Sequence, residues 1–112
     1  MDWKNQNFAK MDKTDVIIIV KKYAELVRKT FDYQKMILFG SYASDNARKD
    51  SDIDIAVVFT DYNNRLDRQV ELMKLTRLID TRIEPHPFRE KDFDHSNPLV
   101  NEIISHGMEV EG

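Results

Sequence analysis

The chain has 112 residues, of which 41% are hydrophobic and 33% charged, with no cysteine and a formal net charge of −3. That length predicts one hydrophobic core and a single domain over 1–112, and the composition excludes a disordered chain. The slightly acidic balance argues against unaided nucleic-acid binding. The lack of cysteine excludes disulfides and thiolate metal sites and fits a cytoplasmic setting.

Residues 1–11 are polar, with isolated Trp3 and Phe8, and read as a loosely ordered arm. No signal peptide is apparent, and the longest apolar runs, 16–20 and 55–59, are too short to cross a bilayer. A helix is predicted from Asp12 onward: Asp12 and Asp15 suit its N-terminus, and Val16, Val20, Tyr23, Ala24, Val27 and Phe31 recur at helical spacing. Lys21, Lys22, Arg28 and Lys29 line its other side as a solvated basic face. Residues 36–39 form a short buried strand that delivers Gly40, and residues 42–47 a brief helix ending near Asn46. A second strand runs over 52–59. Its Asp52, Asp54, Ala56, Val58 face turns from charged to apolar, while Ile53, Ile55, Val57 and Phe59 are apolar throughout. This is the pattern of a central strand opening at one end onto a cleft.

After a turn at 61–64, a helix is predicted over 65–80, with Leu66, Val70, Met73, Leu72, Leu75 and Ile79 giving a broad apolar face. Residues 81–86 read as a third strand, cut off by Pro85 and Pro87 and therefore at or near a sheet edge. A charged connection over 89–94 leads to a well-punctuated last helix, with Asn97 as N-cap, Pro98 in the first turn and Gly107 at its end. The tail from Met108 reads as a final short strand or an unstructured end. The fold class is α/β (α+β), a small mixed sheet of three to four strands flanked by helices.

Most of the chemical information lies in residues 38–58. Asp is disfavoured in strands, yet Asp52 and Asp54 stand at i and i+2, where their carboxylates share a face about 6–7 Å apart. Two like charges at that distance repel unless a cation lies between them. Oxygen-ligated divalent ions suit such a site, Mg2+ above all, and bring phosphates with them. Gly40-Ser41, in a turn ahead of a helix, offers backbone N–H groups to a phosphate.

Gly40 and Ser41, a ten-residue interval, then Asp52-Ile53-Asp54, with Ser51 before the first Asp, resemble the signature of the DNA polymerase beta-like nucleotidyltransferase superfamily. The closest resemblance is to its small stand-alone members, the minimal nucleotidyltransferases. It covers about Thr30 to the C-terminus. One departure is Asn46, where many members carry Gly; Asn is the next-best residue for a left-handed turn.

The resemblance implies a polymerase beta-like fold and transfer of a nucleoside monophosphate, AMP from ATP, to a hydroxyl. It implies two Mg2+ ions, with Mn2+ able to substitute, held by Asp52, Asp54 and a third acidic residue on a neighbouring strand. Glu84 is the position that matches, and on a strand it shares a face with Arg82 and His86 while Ile83 turns to the core. Gly40 and Ser41 would then bind the nucleotide. Arg48 and Lys49, between the signature halves, read as solvated surface, and His86, His95 and His106 lack zinc-ligand spacing, His86 alone sharing Glu84's face.

Larger relatives add a helical domain for the acceptor, which this length does not accommodate, so a second copy or a partner chain is expected to present it. Proteins of this kind are commonly paired with a helical HEPN-domain toxin, which implies an antitoxin. Candidate interfaces are the basic face from Lys21 to Lys29 and the loop at 45–49. Two other readings compete: a binding module that neutralises its partner by occlusion, and a small-molecule adenylyltransferase like those that inactivate aminoglycosides.

Overall fold

The structure is a computed structural model, and it describes residues 11–110. The reading of 1–11 as an arm lies, but for Met11, outside the described residues. Helix α1 spans Lys13–Thr30, strand β1 Lys35–Phe39, β2 Ile53–Phe59, helix α2 Arg65–Thr76, β3 Ile83–Arg89, helix α3 Pro98–His106 and β4 Met108–Val110, with a 3-10 turn at Glu90–Asp92. The strands form one mixed sheet in the order β3-β2-β1-β4, in which β1 is antiparallel to β2 and β4, and β2 is parallel to β3. Among the described residues, no helix is long and apolar enough to cross a membrane.

The sheet is covered on both faces, which is why β2 is apolar on both. Ile53, Ile55, Val57 and Phe59 join Met36, Leu38 and Val110 beneath Val16, Val20, Tyr23 and Val27 of α1 and Leu72 of α2. Tyr23 donates its hydroxyl to the Leu72 carbonyl at 2.7 Å and so ties the two helices together. Ala56 and Val58 face the other way, with Ile37, Phe39 and Phe88, against Val100 and Ile103 of α3. The Ile17-Ile18-Ile19 run is helical because Val16, Val20, Tyr23, Ala24 and Val27 together set a 3.6-residue period that buries one side. Asn97 caps α3 by accepting from the Leu99 and Val100 N–H groups.

Several expectations are corrected. Residues 42–47 are not helical but a compact turn: Ser44 N–H donates to Gly40, Asn46 N–H donates to Ser41, and Asp45, at φ 63°, stops any helical continuation. The left-handed residue is therefore Asp45 and not Asn46. Asp52 precedes β2 instead of opening it; strand pairing starts at Ile53, whose N–H donates to the Arg82 carbonyl.

Helix α2 stops at Thr76, whose hydroxyl turns back to the Met73 carbonyl. Its apolar residues divide: Leu72 is buried, whereas Leu66, Val70 and Met73 lie on the outward side. Strand β3 also runs through both prolines. The Pro85 and Pro87 carbonyls accept from the Gln69 amide and the Tyr62 hydroxyl, while the Arg82 carbonyl accepts from β2. Odd-numbered residues thus turn their backbone polar groups away from β2, and the N–H that proline lacks is one the ladder never needed. As expected, the proline-bearing strand is at the sheet edge.

Candidate active site

The site forms at one end of β2 and β3 because three local decisions converge there. Strand β1 ends at Phe39, paired with Asp54, so the chain leaves the sheet at Gly40 directly beside that carboxylate. Gly40 has φ +76°, and a Cβ there would lie 2.5 Å from Asp54 Oδ2. Glycine is thus required twice, for its backbone conformation and for the space it leaves. The parallel register places Asp54 opposite Glu84 and Ala56 opposite His86, so Asp54, Glu84 and His86 share one face.

At the entrance to β3, Arg82 grips Asp80 through two side-chain bonds of 3.0 and 2.6 Å. This pair fixes the turn from which Glu84 is launched, and no spacing rule marks it in the sequence. The hydrogen bonds from Arg82 hold the Asp80 carboxyl below its ordinary range, against a smaller opposing effect of burial.

His86 Nε2 lies 3.4 Å from Asp54 Oδ1. One donor atom from each of Asp54, Glu84 and His86 lies within 4.8 Å of the other two. Phe39 packs its ring against the His86 imidazole, with centroids 5.3 Å apart. Asp52 is exposed and near enough to act on Glu84, but it is not one of the three residues whose donor atoms converge. Burial pushes the Glu84 carboxyl above its ordinary value; His86 opposes this, and the carboxylates of Asp54 and Asp52 and the Asp52 hydrogen bond add to the rise. Carboxylates gathered around Glu84, beside a glycine that keeps the neighbouring space clear, suit a divalent cation and a phosphate.

Ser41 follows Gly40 in the turn and is partly exposed, its carbonyl accepting from the Asn46 N–H at 2.9 Å. Arg48 and Lys49 are exposed on the loop that Ser51 closes by accepting from the Arg48 N–H. His95 bonds to Asn101, and His106 is exposed beside Glu102; neither joins the cluster. Lys13 of α1 reaches the Ala43 carbonyl and Asp45, docking the signature loop onto the helix.

The direction of the Glu84 shift yields a pH prediction. A carboxyl whose folded-state value is raised binds its proton more tightly in the folded chain, so stability falls as pH rises from the ordinary 4.5 through the raised value, then levels. In chelator, the melting temperature of the wild type should therefore decline over that interval more than that of Glu84→Gln. Parallel melting curves of the two proteins would place Glu84 in open solvent.

The family model described as "Polymerase beta, Nucleotidyltransferase" matches residues 10–110. Among solved structures, a candidate nucleotidyltransferase from Sulfolobus solfataricus is 20% identical with a TM-score of 0.63, the match covering 88% of this chain and 81% of that one. A chain of a toxin–antitoxin complex with AMP-PNP is 26% identical at a TM-score of 0.64, over 86% of this chain and 73% of that one. A chain from the complex of a tri-AMPylated Shewanella oneidensis HEPN toxin with its MNT antitoxin is 25% identical at a TM-score of 0.61, over 87% and 72%. None of the curated proteins matches this chain.

Proposed function

Because the chain belongs to the polymerase beta nucleotidyltransferase family, we propose that it transfers AMP from ATP to a hydroxyl of a HEPN-type toxin and so acts as that toxin's antitoxin. The observation that carries the reading is the parallel register that sets Asp54 opposite Glu84, with Gly40 against the Asp54 carboxylate. The similar complexes, one with AMP-PNP and one whose toxin is AMPylated, support both nucleotide and acceptor.

In this reaction an acceptor oxygen forms a bond to the α-phosphorus of ATP, the bond from that phosphorus to the leaving pyrophosphate breaks, and the hydroxyl proton is released. Asp54 and Glu84, with Asp52 beside them, would hold the divalent ion; the donor set fits, being oxygen-rich, partly exposed and free of thiolate. A bound divalent ion supplies Lewis-acid neutralisation of the triphosphate and lowers the pKa of the attacking hydroxyl. Gly40 lets a phosphate approach the backbone, and Ser41 donates to it from its hydroxyl and N–H. The Asn46–Ser41 and Ser44–Gly40 hydrogen bonds keep that turn in one conformation, so these donors are in place before the nucleotide arrives.

The test is the intact mass of the co-expressed partner. An added AMP on a Tyr, Ser or Thr is expected with the wild type and not with the Asp52→Asn, Asp54→Asn chain. A neutralised partner of unchanged mass would replace the enzyme by a module that works through occlusion.

A further inference from the structure

The structure assigns His86 as a nitrogen ligand to the cation at Asp54 and Glu84, making the site one that takes a first-row transition ion such as Mn2+ in preference to Mg2+. The inference rests on the proposed nucleotidyl transfer for the existence of the cation, and concerns which ion is chosen.

Geometry comes first. An octahedral ion with bonds of about 2.1 Å holds neighbouring donors about 3.0 Å apart and opposite donors about 4.2 Å apart. The His86 Nε2 to Asp54 Oδ1 separation is 3.4 Å, and all three donors fall within 4.8 Å of one another. The His86–Asp54 pair is therefore already within about 0.4 Å of the spacing of neighbouring donors, and the bound on the whole set lies close to that of opposite donors.

The imidazole is also held in place. His86 stands two residues beyond Glu84 on the same strand face, opposite Ala56, and its ring rests against Phe39. With only 21% of its side chain exposed, the imidazole is turned toward the carboxylates and not to bulk water.

Chemistry then selects the ion. Mg2+ prefers oxygen ligands and gives up its water reluctantly, so an imidazole adds little to its binding. First-row transition ions accept imidazole nitrogen more readily than Mg2+ does, the later ones most of all, and Mn2+ is the member whose liking for carboxylates comes nearest to that of Mg2+. A histidine that only oriented Asp54 by a hydrogen bond would leave the Mn2+ to Mg2+ preference untouched.

Pulsed electron paramagnetic resonance of Mn2+ bound to the full chain reads nitrogen ligation directly. The wild type should show an imidazole nitrogen coupling that disappears in His86→Gln, a variant that can still hydrogen-bond to Asp54. Calorimetric titration should show Mn2+ affinity reduced about tenfold or more in that variant with Mg2+ affinity little changed. Labelling histidine with the heavy nitrogen isotope must alter the coupling in the wild type, a readout independent of how the variant folds. Bound Mn2+ without nitrogen coupling would overturn the inference and leave nucleotidyl transfer standing. Failure of the wild type to bind Mn2+ or Mg2+ at all would overturn both.

Discussion

Replacing Asp52 and Asp54 together by asparagine should lower AMP transfer by at least about a thousandfold while leaving the chain folded. Lewis-acid stabilisation of a phosphoryl-type transition state is worth several kcal/mol, and each 1.36 kcal/mol is about a factor of ten in rate. Folding should survive, because Asp52 is exposed and the Asp54 side chain is 26% exposed, with His86 its one hydrogen-bond partner of those described. Both carboxylates make ionisation of Glu84 harder, so removing them should raise the melting temperature of the metal-free protein or leave it unchanged. The opposite sign is expected for a pair that serves as a structural ion bridge. Mg2+ or Mn2+ at a hundred times its dissociation constant should stabilise the wild type by about 2.7 kcal/mol and the double variant not at all. Equal stabilisation of both would move the ion elsewhere, and undiminished transfer would remove the two aspartates from the chemistry.

What the sequence reveals of this site is the part written in a period or a spacing. Asp54 stands out as a carboxylate two residues after Asp52 at the head of an otherwise apolar strand, whereas Glu84 is singled out by the family resemblance and not by the pattern of its own strand. The fold class follows from the same source: β2 is apolar on both faces because α1 and α2 cover one and α3 the other. Features decided by pairing are invisible there. Nothing local says that β3 lies parallel to β2 in the register that puts Glu84 opposite Asp54 and His86 opposite Ala56.

The errors have the same physical origin. Pro85 and Pro87 place β3 at a sheet edge or at its own end, and of these the edge is what the fold uses: breaking a ladder depends on which way a missing N–H points, and both point to the open edge. The signature loop was expected to hold a short helix with Asn46 as its special residue. The chain instead spends its left-handed conformations on Gly40 and Asp45, Asp being among the residues that tolerate it. Leu66, Val70 and Met73 follow helical spacing as faithfully as Leu72 does, yet only tertiary packing decides which side of α2 meets the sheet.

Gly40→Ala should damage transfer far more than stability. A Cβ at φ +76° costs about 1–2 kcal/mol in backbone strain alone, and in this position it would lie 2.5 Å from Asp54 Oδ2. The cheapest relief is to rotate the Asp54 carboxylate, since its far end is a side chain and not backbone. Stability then falls only by the backbone cost, a decrease in melting temperature of about 4–16 °C at about 4–8 °C per kcal/mol. That rotation, however, carries Asp54 Oδ atoms away from Glu84 and His86 and places a methyl group where a phosphate would approach. Divalent-ion stabilisation should weaken, nucleotide binding should fall at least tenfold, and the transfer rate should drop by two orders of magnitude or more, about 2.7 kcal/mol in the barrier. Gly40→Val, with a bulkier branched side chain, should bind no nucleotide. The measurements are ion-dependent melting, equilibrium titration with a non-hydrolysable ATP analogue, and labelled AMP transfer on the same preparations. Should Gly40→Ala lose only the melting temperature and keep both nucleotide and rate, Gly40 would serve the turn alone, and the phosphate site would have to lie on another part of the cleft.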